Sequence, residues 1–131
     1  MRVLRAGDRG SSPVEFVLVG TMLTALTLAV LQLALAVYVR NVVHDAALEG
    51  AHHAALADVA LEEGASRARE VITQAIGSSY AGDVSAARVE RSGRRVVVVR
   101  IRTALPVIGL IGIPSAMQVD AHAPAESFDE R

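Results

Sequence analysis

At 131 residues and a formal net charge of −1, the chain has room for one small domain and no global pull towards nucleic acid or acidic lipid. The absence of cysteine excludes a disulfide framework, thiolate chemistry and a cysteine-based zinc site. Aromatic residues make up 3%, too few for a surface on which bases or sugars stack, and all 13 basic residues are arginine.

The N-terminus carries Arg2, Arg5 and Arg9, opposed only by Asp8, and leads into Gly10-Ser11-Ser12-Pro13-Val14-Glu15-Phe16. From Phe16 to Val39 there is no formal charge. As a helix this run covers roughly 36 Å, against about 30 Å of bilayer hydrocarbon, so it can span with some tilt. The arginines ahead of it favour a cytoplasmic N-terminus, with the chain beyond Arg40 outside. Glu15 sits at the mouth of the run, where a carboxylate is costly and by default marks function. In the plainer alternative it lies solvated among headgroups. Ala34-Leu35-Ala36 has the form of a signal-peptidase site, so a secreted domain cut near Ala36 is a competing outcome. The apolar run before it is longer than the usual ~7–15 residues of such a signal, which favours a retained span. Thr21, Thr24 and Thr27 can bond back to the preceding turn. With Gly20 they form a small-residue face suited to helix packing, although a lipid-facing helix explains them equally well.

Past Arg40 the helical period continues. Val43, Ala46, Ala47, Gly50, Ala51 and Ala54 recur at spacings of three and four, and Gly64 is expected to break or bend this helix. A second helix is predicted over about Ser66–Ile76, ended by Gly77-Ser78-Ser79. Val84–Arg91 and Arg94–Thr103 flank Ser92-Gly93 and read as a hairpin, with Val97, Val99 and Ile101 on the inner face. A third strand is expected at about Ala116–Ala123. The apolar stretch Leu105–Ile113, bounded by Pro106 and Pro114, is too broken for a helix and reads as a loop. It would skim the membrane, touch another subunit, or fold over the sheet edge. Residues 124–131 are polar and expected to fray.

The fold class is therefore α+β. A long N-terminal transmembrane helix (11–40) precedes a head (41–131) of one or two helices and about three antiparallel strands, with a basic leader (1–10) in front. Chemistry is sparse. Glu49 and His53 lie four apart on one helix face but have no third ligand at a recognisable spacing, so no metal is expected. Ser11 and Ser12 have no histidine base beside them, and no phosphate-binding glycine loop is present. The arginines at 88, 91, 94, 95, 100 and 102, with Glu90 among them, read as a solvated strand face. No enzyme, cofactor or nucleic-acid partner is expected.

Several short pieces occur in a specific order: Arg9-Gly10, Val14-Glu15-Phe16, the apolar helix, Tyr38-Val39-Arg40-Asn41, Ala46-Ala47 and Glu49-Gly50-Ala51. In this the chain resembles the TadE-like proteins of bacterial tight-adherence pilus systems. Leu105-Pro106-Val107-Ile108-Gly109 and Ala121-His122-Ala123 resemble their C-terminal half. The resemblance implies a pilin-like precursor cut by a prepilin peptidase after Gly10, so that Ser11 becomes the first residue. It implies that Glu15, with Phe16 beside it, docks the subunit by pairing with a neighbour's amino terminus. It implies as partners other pilin or pseudopilin subunits, the peptidase, the inner-membrane assembly platform and membrane lipid, with the chain in the cell membrane and available to the pilus. Pro13 departs from the small residues usual at its place, although proline is tolerated in a helix's first turn. Loss of the leader would move the formal charge from −1 to about −3 by removing Arg2, Arg5, Arg9 and Asp8. The function so implied is that of a minor pilin-like subunit. The alternative is an unprocessed single-pass accessory protein whose head binds a partner or envelope component.

Overall fold

The computed structural model describes residues 11–108 and 111–126. The leader with Gly10, the pair Gly109-Leu110 and residues 127–131 lie outside them. The elements are helix α1 (Ser11–Ala55), helix α2 (Leu61–Ile76), a single 3-10 turn (Ser78–Tyr80), and strands β1 (Asp83–Arg91), β2 (Arg94–Ile108) and β3 (Ile111–Pro124). The strands form one antiparallel sheet in the order β1-β2-β3. The class is α+β, as the sequence led us to expect.

The C-terminal part of α1 is the spine of the head. Its small-residue stripe is fully buried: Val43, Ala46, Ala47, Ala51 and Ala54 are all at 0% exposure. Small side chains allow α2 and the sheet to approach closely. Val97, Val99 and Ile101 close the core from β2, and Met117, Val119, Ala121 and Ala123 close it from β3. These are alternate positions on their strands, so one face of the sheet is packed and the other wet. The hairpin turns at Ser92 (φ 54°) and Gly93 (φ 75°), with Arg91 opposite Arg94. Two positive φ values in a two-residue loop match the twist of the flanking strands.

Gly64 does not interrupt α1. The helix ends at Ala55, and Gly64 lies inside α2, which begins at Leu61 rather than near Ser66. Gly64 and Gly50 are where the two helices touch. A Cβ on Gly50 would come 2.6 Å from the Gly64 carbonyl oxygen, and one on Gly64 would come 2.5 Å from the Gly50 oxygen. Both glycines are kept by close approach and not by chain reversal. Arg67 bolts the same crossing from outside, its Nη2 lying 2.7 Å from Glu49 Oε1. Arg69 ties α2 to the sheet by donating to the Val84 carbonyl at 2.8 Å. These arginines thus join elements. Gly77 ends α2 as predicted, with φ 104° and its N–H on the Ile72 and Thr73 carbonyls.

The stretch read as a broken loop is instead strand. β2 runs on to Ile108 and β3 starts at Ile111, with Leu105 opposite Ile113 and Pro106 opposite Gly112. The register shifts around Ala104 and Val107, so the irregularity seen in sequence takes the form of bulges. Proline is tolerated because β1 pairs with β2 only up to Asp83↔Arg102, leaving the far side of β2 open beyond that point. At the other end the chain is pinned past the sheet: Ala125 N donates to Arg95 O (3.0 Å) and Glu126 N to Ala55 O (2.9 Å). Fraying from 124 is therefore not seen at Ala125 and Glu126.

On the wet face, Arg100 Nε donates to Asp120 Oδ1 at 2.9 Å. That hydrogen bond, with the attraction of the guanidinium and the Gln118 amide, holds the Asp120 carboxyl below its ordinary value, against some desolvation. A lowered folded pKa adds stability above the unfolded value of about 3.9, and that stability is lost as pH falls through the folded value. Asp120→Asn is thus expected to flatten the acid limb of head stability below about pH 4. Urea midpoints of wild type and variant across pH 2–7 check this (the pair is half-exposed, so the effect at neutral pH is small).

Candidate functional site

The N-terminal part of α1, up to Leu31, stands clear of the head. Val14, Phe16, Val17, Leu18, Met22, Leu23 and Leu26 are all more than half exposed, Phe16 reaching 80%. A soluble helix so apolar would bury these side chains, because each Leu or Phe left in water forgoes about 1.5–3 kcal/mol. The segment is long and apolar enough to cross a membrane and is almost wholly unburied within the protein, which excludes the core helix of a soluble fold.

Among the described residues α1 begins at Ser11, with Pro13 two positions on. Glu15 follows on the exposed helix surface, with Phe16 beside it. Pro13, Val14, Val17, Leu18 and Thr21 line a shallow apolar groove next to them. Thr21, Thr24 and Thr27 donate to the carbonyls of Val17, Gly20 and Leu23, each at 2.8 Å. Their hydroxyls are thereby satisfied within the helix, as lipid or a helix interface requires. A Cβ on Gly20 would meet no atom within 4 Å. Gly20 is thus an open notch beside the threonines, unlike the filled contact at Gly50. Gly10 lies outside the described residues, so the Gly10–Ser11 junction has no geometry here.

The sequence reading missed the burial of Gln32. Its Oε1 and the Thr103 hydroxyl are buried with no hydrogen-bond partner among the described residues. Gln32, Ala36, Val39 and Val43 lie at i, i+4, i+7 and i+11, the first two half-buried among exposed Leu31, Leu33 and Leu35. That spacing was the available signal. Among the described residues no group of three or more His, Asp or Glu is placed to hold a metal ion.

A bare apolar helix carrying a small α+β head is the form of a membrane-anchored protein. Over residues 10–52, which include Glu15, the apolar run and the first turns of the head, the chain matches the family model described as TadE-like protein. The TadE-like character read from the order of short pieces is thereby supported for this segment. The pieces at Leu105–Gly109 and Ala121–Ala123 fall beyond the matched span. No curated protein and no solved structure matches the chain.

Proposed function

We propose that the chain is a minor pilin-like subunit (pseudopilin) that takes part in assembling a tight-adherence type IV pilus. A prepilin peptidase cuts between Gly10 and Ser11, freeing the amino terminus of Ser11 and making Glu15 the fifth residue. The mature helix holds the subunit in the cell membrane until assembly, with the head outside. Glu15 then pairs with the amino terminus of a neighbouring subunit. Opposite charges in a low-dielectric setting attract strongly, while either alone is expensive to keep there. Phe16 and the apolar groove add the nonpolar part of the contact. The face of Gly20, Thr21, Thr24 and Thr27 lets a neighbouring helix come close, since its hydroxyls are already paired and its glycine leaves room. The peptidase and the membrane assembly platform are the partners this reading requires.

The observation that carries the proposal is the glycine-to-glutamate spacing ahead of an exposed apolar helix, inside the segment that matches TadE-like proteins. The experiment that tests it identifies the first residue of the chain recovered from its host's membranes, Ser11 or Met1.

A further inference from the structure

The head has a helical side and a sheet side, and the two carry opposite charge. Residues 41–80, on the helical side, hold six acidic residues against two arginines, a formal charge of −4. Residues 81–126, on the sheet side, hold six arginines against four acidic residues, a formal charge of +2. Past Tyr38, the exposed large apolar residues among those described are Leu48, Leu56 and Val89. Leu48 and Leu56 lie on the side of α1 turned away from its buried stripe. With Asp45, Glu49, His52 and His53 they line a shallow groove. Asp45 is 81% exposed there, with His44 no closer than 3.9 Å.

Val89 belongs to the outer face of the sheet, which no helix covers. Val89, Val96 and Pro124 are lateral neighbours, and Ala87, Val98 and His122 form the next row. Arginines frame this apolar patch. Arg100 and Arg102 flank it on one side, Arg100 already bound to Asp120. On the other side Arg91 stands directly opposite Arg94. Like charges so placed repel, and neither has an ion-pair partner among the described residues. The bonds from Ala125 to Arg95 and from Glu126 to Ala55 set Val96 beside the end of α1. The row of Val89 and Val96 is therefore level with Leu56. Arg91 and Arg94 fall beyond that row, on the side of the link to α2, where Asp58 is exposed.

We propose that the heads of anchored copies pack side by side, the outer sheet face of one lying on the outward face of α1 of the next. The occupant of each face is a second copy because one chain carries both surfaces, with opposite charge and matched apolar centres, at one height. Copies anchored through α1 in one membrane share that height and orientation, so the surfaces meet without tilting either chain. Leu56 and Leu48 then cover Val96, Val89 and Val98, and Asp58 comes to the Arg91–Arg94 pair, relieving its repulsion. The two faces lie on opposite sides of the head, so the contact is head-to-tail: each copy that docks leaves a fresh face for another. About six residues a side is far short of the roughly 20–30 of a standard interface. Pairing is therefore expected where anchoring raises the local concentration, and not between dilute solubilised chains. The proposal rests on α1 being the membrane anchor, and not on cleavage of the leader or on Glu15.

The chain has no cysteine, so introduced cysteines report on the contact directly. Full chains bearing Leu56→Cys and differently tagged chains bearing Val96→Cys are reconstituted together in vesicles of phosphatidylethanolamine and phosphatidylglycerol. Flotation of the vesicles checks the anchor, and mild oxidation traps neighbouring cysteines as disulfides. The mixed Leu56–Val96 product is expected to form severalfold faster than either self-product. Arg94→Glu in the Val96→Cys chain should lower it severalfold, and Asp58→Arg in the Leu56→Cys chain should then restore it. A mixed product no faster than the self-products, in chains that float, overturns the side-by-side contact and leaves the anchor standing. A dominant Leu56 self-product assigns the groove to a symmetric pair and overturns it too, as does a mixed product indifferent to both charge changes. Chains that do not float overturn the anchor and the contact together.

Discussion

Gly64→Val is expected to destabilise the head strongly while leaving the apolar part of α1 helical. The added Cβ would fall on the Gly50 carbonyl oxygen at 2.5 Å and closer still to the Ala54 side chain. One of those obstacles is backbone and the other a methyl fixed to it, so no rotamer change relieves them. The helices must part along a stripe whose members have no exposed surface, opening gaps at Ala51, Ala54 and Ala68. Overpacking of this kind costs about 3 kcal/mol, a large share of the roughly 5–15 kcal/mol that holds a domain together. For a head this small the melting temperature falls by on the order of 15 °C. Gly20→Ala is the matched control, because its Cβ meets nothing within 4 Å, and it should leave the head's melting unchanged. Amide exchange on the detergent-solubilised chain checks both expectations. Protection of α2 and the sheet falls by about a hundredfold in Gly64→Val, as about 3 kcal/mol requires, and is unchanged in Gly20→Ala.

Glu15→Ala is expected to leave membrane insertion and leader removal intact and to abolish most piliation. Insertion survives because the change removes a charge from the edge of an apolar helix, which only makes the segment more lipid-compatible. Assembly suffers because the neighbour's amino terminus would enter the contact with no carboxylate to meet it. Removing one partner of a buried ion pair costs about 3–5 kcal/mol, which is a hundredfold or more in the docking equilibrium. Glu15→Gln keeps the shape and loses the charge, so it should behave like Glu15→Ala, while Glu15→Asp should retain partial function. Counting surface pili in the host, with the membrane content of each variant as control, separates assembly from insertion. Normal pili in Glu15→Ala would remove Glu15 from the account.

The sequence announced those features that repeat. The stripe from Val43 to Ala54 and the alternation of Val97, Val99 and Ile101 both mark one buried face, and the core lies on those faces. Ser92-Gly93 and Gly77 announced chain reversals because their backbone angles suit few other residues. Gly64 misled because a glycine in a helical pattern has two meanings, a break or a close contact. Only the position of Gly50 on the facing helix decides between them, and that is a tertiary fact. Leu105–Ile113 misled for a related reason: proline argues against a strand only where both sides are paired, and the early end of β1 could not be read from Pro106 itself. The bridge from Arg67 to Glu49 joins residues on different helices, so pairing along a single helix face could not reveal it. Of the functional features, the apolar span and the order Gly10, Glu15, Phe16 were legible as pattern. The open notch at Gly20 and the buried Gln32 needed coordinates.

The account turns on whether the chain is processed as a pilin. The most direct measurement is the identity of its N-terminal residue after purification from its own host's membranes, by intact mass together with mapping of the terminal peptide. The account predicts a chain that begins at Ser11, lacking the basic leader and placing Glu15 fifth. A chain that still begins at Met1, from cells in which the prepilin peptidase is active on other substrates, would contradict it and make the protein a permanent single-pass anchor for its head.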